Sequence, residues 1–158
     1  MKLHGKPIEG PNVVTVVIPR SSGDLVFKAQ AVLDYSDFDK LCPVPQPPTI
    51  QRPGGQKSVN VEDPGYKEQL EKWAEKKSCW MVIKSLSVTE GLEWETVDLS
   101  DPDTWINHVE ELTKAGLTPH EQSRLVNAFS EANGLSQDKI DEATRRFLAL
   151  TAEVIPNQ

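Results

Sequence analysis

Residues 13–33 read VVTVVIPRSSGDLVFKAQAVL, and this stretch predicts a β-hairpin. Its first six residues are all β-branched, and Pro19 ends the run. Gly23 can adopt the positive φ that the following turn needs, and from Leu25 onward apolar and polar residues alternate. A lone hairpin is marginally stable in water, so we expect it to pair with another strand, pack on a helix or be completed by a partner.

The segment from Cys42 to Pro64 breaks this pattern, because prolines and a Gly-Gly pair recur through it. Such a composition sustains neither a helix nor a central strand. We predict an extended linker with polyproline II character, and two alternatives stay open: a docking arm ordered by a partner, or a PxxP ligand of an SH3-type domain. Just before it, Ser36 is expected to begin a short helical turn with Phe38 and Leu41 pointing inward.

The second half of the chain predicts about four helices. Large residues at steps of three and four mark the first, from Pro64 to about Leu86. Helix-start signals predict three more helices, which begin at Asp101-Pro102, at the Thr118-Pro119 capping box and at Ser136. Gly116 and Gly134 are expected to end the first two of these helices. Residues 93–99 are expected to add a short irregular strand. The helix faces predicted to point inward are Trp105, Val109 and Leu112, then Leu125, Phe129 and Ala132, then Ile140, Ala143, Phe147 and Leu150.

These patterns together predict an α+β protein. It consists of an N-terminal β-hairpin or small sheet, a proline-rich linker and a C-terminal array of about four helices. The corresponding division is a β-rich unit over residues 1–42, a linker over 43–63, a helical domain over 64–152 and a frayed tail over 153–158.

Composition argues against several classes of function. The chain has 158 residues and a formal net charge of −7. An acidic surface repels phosphate backbones, so nucleic-acid binding is not expected. There is no run of about 18 apolar residues, and the N-terminus lacks the apolar core of a signal peptide, so we expect neither a membrane span nor secretion. Cys42 and Cys79 are expected to be reduced, although their spacing leaves a disulfide open.

The residues that carry chemistry form no recognisable catalytic or metal-binding motif. The histidines show none of the zinc-site spacings, and neither a G-x-S-x-G nor a P-loop motif is present. His108 shares a predicted helix face with Glu111, which favours a surface pair over a metal ligand. Cys79 lies beside Trp80 in an amphipathic helix, which favours a buried thiol over a nucleophile. We therefore predict no enzymatic activity, no cofactor and no metal.

Large aromatic residues are the best candidates for partner contacts, because they bury much area and anchor interfaces as well as cores. Trp94 is the strongest candidate, since it lies between predicted elements and is flanked by Glu93 and Glu95. The candidate partner-binding residues are Trp73, Trp80, Trp94, Trp105, Phe129 and Phe147.

The order of segments resembles that of tail assembly chaperones of long-tailed bacteriophages. The resemblance rests on the β segment at 13–33, the linker, the stretch GLEWETVDL at 91–99 that leads into Pro102-Asp103-Thr104-Trp105, and the ending IDEATRRFL at 140–148. It implies a non-enzymatic protein that binds the tape-measure protein, keeps it soluble, helps to recruit tail-tube subunits and leaves before the tail is complete.

The resemblance also implies partners and a location. The partners are the tape-measure protein and the tail-tube protein, and the location is the host cytoplasm. A homo-oligomer is possible as well, because strand edges are natural sites of self-assembly. Two alternative functions stay open: a structural or adaptor protein of the virion, and a host-directed protein-binding regulator. Presence in purified virions would favour the first, and binding to a host protein the second.

Overall fold

The computed structural model describes residues 1–153, and within them it has three two-stranded antiparallel sheets and five helices. The sheets pair β1 (Lys2–Leu3) with β2 (Lys6–Pro7), β3 (Val13–Ile18) with β4 (Leu25–Gln30), and β5 (Thr49–Gln51) with β6 (Lys57–Val59). The helices are α1 (Ser36–Leu41), α2 (Pro64–Leu86), α3 (Asn107–Lys114), α4 (Pro119–Ala132) and α5 (Gln137–Glu153). The predicted α+β class is confirmed. Of the predicted 153–158 tail, Glu153 ends α5 and residues 154–158 lie outside the described residues.

The chain divides into two compact units, and neither is continuous in sequence. Unit 1 consists of residues 1–32, 85–91 and those from 118 onward, and unit 2 consists of residues 33–84 and 92–117. This grouping differs from the linear division predicted at residues 42 and 63. The reason is that the N-terminal hairpin is covered by a helix that is distant in sequence.

The β3–β4 hairpin is the sheet of unit 1. Its strands pair in register from Val13 opposite Gln30 to Ile18 opposite Leu25, and Gly23 takes a φ of 122° in the turn, as predicted. One face is buried and consists of Val16, Ile18, Phe27 and Ala29. This face packs against α4, which buries Leu125, Ala128, Phe129 and Ala132. Of the three predicted ways to stabilise the hairpin, packing on a helix is therefore the one that the structure shows.

The hydroxyls of Ser85 and Thr89 form hydrogen bonds with backbone groups of β4 that are not paired with β3. Thr89 Oγ1 accepts a hydrogen bond from the Lys28 N–H at 2.9 Å and donates to the Lys28 carbonyl at 3.0 Å. Ser85 Oγ donates to the Gln30 carbonyl at 2.7 Å. Because these groups would otherwise be open to another strand, the hydroxyls close this edge of the sheet.

Helix α4 begins with the predicted capping box. Thr118 Oγ1 accepts from the Glu121 N–H at 3.3 Å, and Glu121 Oε2 accepts from the Thr118 N–H at 2.9 Å. The Arg20 guanidinium donates two more hydrogen bonds to this carboxylate, at 2.6 and 2.9 Å. Arg20 in the first place, and the Thr118 N–H in the second, hold the pKa of Glu121 at about 2.

The segment 43–63 of unit 2 contains a hairpin where the sequence predicted an extended linker. The prolines lie beside its strands rather than within them: Pro48 precedes β5 and Pro53 follows it. The Arg52 N–H donates to the Gln56 carbonyl at 2.8 Å, and Gly54 and Gly55 form the turn. A strand of only three residues therefore fits between prolines that exclude a longer one.

Two further predictions in unit 2 are wrong. The helix predicted from Asp101 begins only at Asn107, because Thr104 Oγ1 binds the Asp98 and Asp101 carbonyls and holds residues 101–106 in tight turns. The strand predicted over residues 93–99 does not form within the described chain. There the Glu111 carboxylate accepts from the N–H groups of residues 95 and 96, which a strand would need for pairing.

Glu121→Gln is expected to remove part of the pH dependence of folding. The folded pKa of Glu121 is about 2, and an unperturbed glutamate has a pKa of about 4.3. The carboxylate therefore stabilises the folded state above about pH 4.3, and this stabilisation is lost as the pH falls towards about 2. Urea midpoints, measured by far-ultraviolet circular dichroism, should differ between wild type and variant at neutral pH and converge near pH 2.

Glu131→Gln, near the other end of α4, is the matched control. This variant keeps the Arg20–Glu121 pair, so its urea midpoint should fall with pH as that of wild type does. A Glu121→Gln difference that stays constant through the acid range would show that the Arg20 pair does not set the pKa.

Candidate protein-binding surface

The six aromatic residues predicted as partner contacts fall into three groups. Trp80, Trp105 and Phe129 are buried, with 1%, 0% and 7% of their surface exposed. Trp73 and Trp94 are half-buried. Phe147 is 64% exposed. A buried side chain contacts a partner only if the fold opens, so Phe147 alone of the six presents most of its ring to the outside.

Three of the four tryptophans of unit 2 surround Phe38, which lies in α1 and is 0% exposed. Its ring centroid is 5.8 Å from that of Trp73, 5.6 Å from Trp80 and 5.9 Å from Trp105. These separations are typical of favourable aromatic pairs. The indole N–H of Trp73 donates to the Cys42 carbonyl and that of Trp105 to the Asp98 carbonyl, each at 3.0 Å. These residues therefore form the core of unit 2.

His108 is buried, and the surface pair predicted with Glu111 does not form. The His108 Nδ1 donates to the Trp105 carbonyl at 2.7 Å, and its ring meets that of Trp94 edge-on, with centroids 6.4 Å apart. Burial lowers the pKa of His108, which favours the neutral ring. Trp94, the strongest candidate from the sequence, is thus partly used in packing.

Neither thiol is placed as a reactive nucleophile. Cys79 is buried, Cys42 is half-buried, and both are free in this structure. Burial raises the pKa of each thiol, which disfavours the reactive thiolate. Within residues 1–153, no three His, Cys, Asp or Glu side chains converge as metal ligands would. None of the helices in that range has both the length and the apolar composition of a membrane span.

Helix α5 exposes an apolar face along its length. Every residue from Gln137 to Thr151 is exposed. The apolar residues of this face follow at steps of three, four and three, so they lie on one side of the helix. We call them the α5 stripe: Ile140, Ala143, Phe147 and Leu150. Leu150 is as exposed as Phe147, at 64%. The sequence predicted that this face points inward, and that prediction is wrong, because no described element covers it.

An uncovered helix of this kind is physically unusual. α5 has 17 residues, which is only slightly more than the length of about 12–15 residues below which isolated helices are marginal in water. Most helices in proteins are stabilised by packing their apolar face, and α5 lacks that packing. An exposed apolar stripe beside charged residues is typical of a surface that binds another helix. The α5 stripe is therefore the candidate binding surface.

An open depression of about 370 Å³ lies in unit 2. Its lining includes the apolar side chains of Leu41, Trp80 and Leu99. Lys40 and Lys84 contribute basic side chains to it. The Lys84 ammonium lies 6.0 Å from the Trp80 ring centroid, and Leu41, which was predicted to point inward, is partly exposed. With an apolar lining and only Asp37 as an acid, the depression lacks the paired groups of general acid–base catalysis.

No family model, curated protein or solved structure matches this chain. Its function is therefore inferred from its own residues and their geometry.

Alanine substitutions of Phe38 and Phe147 should distinguish a core residue from a surface residue. Phe38→Ala is expected to lower the free energy of unfolding by about 3–5 kcal/mol, because it removes a fully buried ring from a packed cluster. Phe147→Ala is expected to change it by no more than about 0.5 kcal/mol, since the ring makes little contact within the chain.

Urea unfolding followed by circular dichroism measures both values. Tryptophan fluorescence gives a second signal for Phe38→Ala, because all four tryptophans lie in unit 2. Equal losses in the two variants would contradict the assignment of Phe38 to a core and of Phe147 to a free surface.

Proposed function

We propose that this protein is a non-enzymatic tail assembly chaperone of a long-tailed bacteriophage. In this proposal it binds the tape-measure protein, keeps it soluble and helps to recruit tail-tube subunits in the host cytoplasm. The observation that carries the proposal is the α5 stripe, an apolar helix face left uncovered by the described chain. The order of segments, which resembles that of such chaperones, adds support.

The stripe suits a helical partner. Residues at steps of three and four present a continuous ridge to the apolar face of another helix. Full burial of a side chain such as Phe147 or Leu150 contributes about 1.5–3 kcal/mol. Much of this gain is offset by the loss of rotational and side-chain freedom on association. A single helix face thus gives a complex that holds its partner and still releases it, as an assembly factor must.

Charge supports the same role. The chain carries a net charge of −7, and a large net charge keeps proteins apart in solution. A tape-measure helix covered by α5 would gain this charge while losing exposed apolar surface. Both effects oppose aggregation of the partner.

The test is co-expression with a tape-measure protein encoded in the same phage genome. Wild type should raise the soluble fraction of that protein several-fold and co-purify with it. The double variant Phe147→Asp with Leu150→Asp should abolish both effects, because carboxylates on the stripe cannot be buried against an apolar helix. Ala149→Asp is the control, since Ala149 lies on the opposite face of α5.

The outcomes separate the candidate functions. If wild type neither solubilises nor co-purifies with the tape-measure protein, the chaperone proposal fails. Stable retention of the chain in purified virions would instead favour the adaptor function, and capture of a specific host protein would favour the regulator. Equal solubilisation by wild type and the stripe variant would keep the chaperone function and exclude the stripe as its surface.

A further inference from the structure

The β3–β4 hairpin has one edge closed by side chains. On the outer edge of β4, the N–H and C=O groups of Lys28 bind the Thr89 hydroxyl, and the Gln30 carbonyl accepts from the Ser85 hydroxyl. These hydroxyls occupy the backbone groups that a further strand would need. The chain thus protects the β4 edge against pairing with another strand.

The outer edge of β3 is open. In an antiparallel pair, the backbone groups of successive residues point alternately towards the partner strand and away from it. Lys28 points away from β3 and lies opposite Thr15, so Thr15 points away from β4. The same holds two residues to either side, at Val13 and Val17. Within the described chain, one of these outward groups has a partner: the Val17 carbonyl accepts from Arg124 Nη2 at 3.0 Å.

The sequence of β3 contains none of the usual obstacles to pairing with another strand. Natural edge strands are protected by charged residues, prolines or bulges. Residues 13–18 read VVTVVI, and their register with β4 is unbroken. Val13 and Val17 are 45% and 44% exposed. The edge therefore offers unpaired backbone groups together with β-branched side chains, which pair favourably across strands.

We propose that two copies of this chain associate by antiparallel pairing of their β3 strands, with the twofold axis at Thr15. In this register Val13 of one copy lies opposite Val17 of the other, and Thr15 lies opposite Thr15. Each opposite pair exchanges two backbone hydrogen bonds, because all three residues point outward. The two hairpins become one four-stranded sheet, and the closed β4 edges stop the assembly at two copies.

The helices that cover the two hairpins fit this arrangement. A twofold axis perpendicular to the sheet leaves both α4 helices on the same face of it. The centres of the two hairpins are two strand spacings apart, which is about 10 Å. Packed helices lie about 8–10 Å apart. The two α4 helices can therefore pack side by side while the β3 strands pair.

Charges on α4 favour a second copy over an unrelated strand. Arg124 and Glu131 are seven residues apart, so they lie on the same side of the helix. The bond from Arg124 to the Val17 carbonyl shows that this side faces the β3 edge. Asn12 Nδ2 donates to the Glu131 carbonyl at 3.4 Å, which places Glu131 towards the beginning of β3. In antiparallel pairing the end of one β3 meets the beginning of the other, which brings Arg124 near Glu131 of the second copy.

The pairing exchanges one contact within the chain for several between copies. The Val13 N–H of the second copy replaces Arg124 at the Val17 carbonyl, and the released guanidinium is then close to Glu131 of that copy. Within residues 1–153, neither Arg124 nor Glu131 forms an ion pair. The net charge of −7 on each copy opposes association. We expect a dissociation constant of about 10 µM or weaker, because one strand pair and one helix contact make a small interface.

Substitutions at the two exposed valines test the pairing and its register. Val13→Lys with Val17→Lys places like charges opposite each other, and so does Val13→Glu with Val17→Glu. Each of these variants should self-associate at least about tenfold more weakly than wild type. An equimolar mixture of the two should form a heterodimer, because opposite charges then meet. Sedimentation velocity of the purified full-length chain, at concentrations up to about 1 mM, measures the association.

The matched control is Val13→Lys with Val17→Glu. It changes the same two positions, but in the proposed register its lysine lies opposite the glutamate of the second copy. This variant should therefore retain self-association. Circular dichroism verifies that all three variants are folded, which is expected because both side chains lie outside the hairpin core.

Hydrogen exchange measured by nuclear magnetic resonance locates the contact. The Thr15 N–H has no partner within one copy, so its exchange should slow several-fold as the concentration rises through the dissociation constant. The Val16 N–H points towards β4 in each copy and serves as the reference.

A monomer–dimer equilibrium in wild type and in the matched control, lost in both like-charge variants and restored in their mixture, would support the pairing. A wild type that stays monomeric up to about 1 mM, or a control that loses association as the like-charge variants do, would overturn it. Association without slower exchange at Thr15 would also overturn it. The pairing does not use the α5 stripe, and solubilisation of the tape-measure protein is measured separately, so either proposal can fail without the other.

Discussion

The burial of one face of the β3–β4 hairpin against α4 is the contact on which unit 1 depends. Two strands alone cannot bury their own apolar side chains, so Ile18 and Phe27 need a cover from outside the hairpin. Leu125 and Phe129 supply it from more than ninety residues later in the chain. The Arg20–Glu121 pair and the hydroxyl of Thr89 then hold the hairpin and its edge in place.

The same physical requirement is unmet at α5. α4 and α5 have similar apolar spacing and lie next to each other in sequence, yet only α4 has a sheet to pack against. The stripe on α5 therefore remains open to another helix. The proposed function depends on this uncovered surface.

Two tryptophans that the sequence suggested as partner contacts, Trp80 and Trp105, belong instead to the core of unit 2. Trp80 and Trp105 are among the most buried side chains of the described chain, and both pack on Phe38. Tryptophan is enriched in interfaces and in cores for the same reason, which is its large apolar area, so residue type alone does not separate the two roles. In unit 2 the short helix α1 places Phe38 in contact with both tryptophans. This contact makes them part of the core.

The sequence by itself determined the features that depend on neighbouring residues. These include the hairpin over 13–33, the capping box at Thr118, the span of α2 and the α+β class, because turn chemistry and side-chain spacing act over a few positions. Only the tertiary structure decided which faces are buried. Phe129 and Phe147 both lie on predicted apolar helix faces, and one is in the core while the other is exposed. Spacing defines a stripe on a helix, whereas its burial depends on whether a distant part of the chain arrives to cover it.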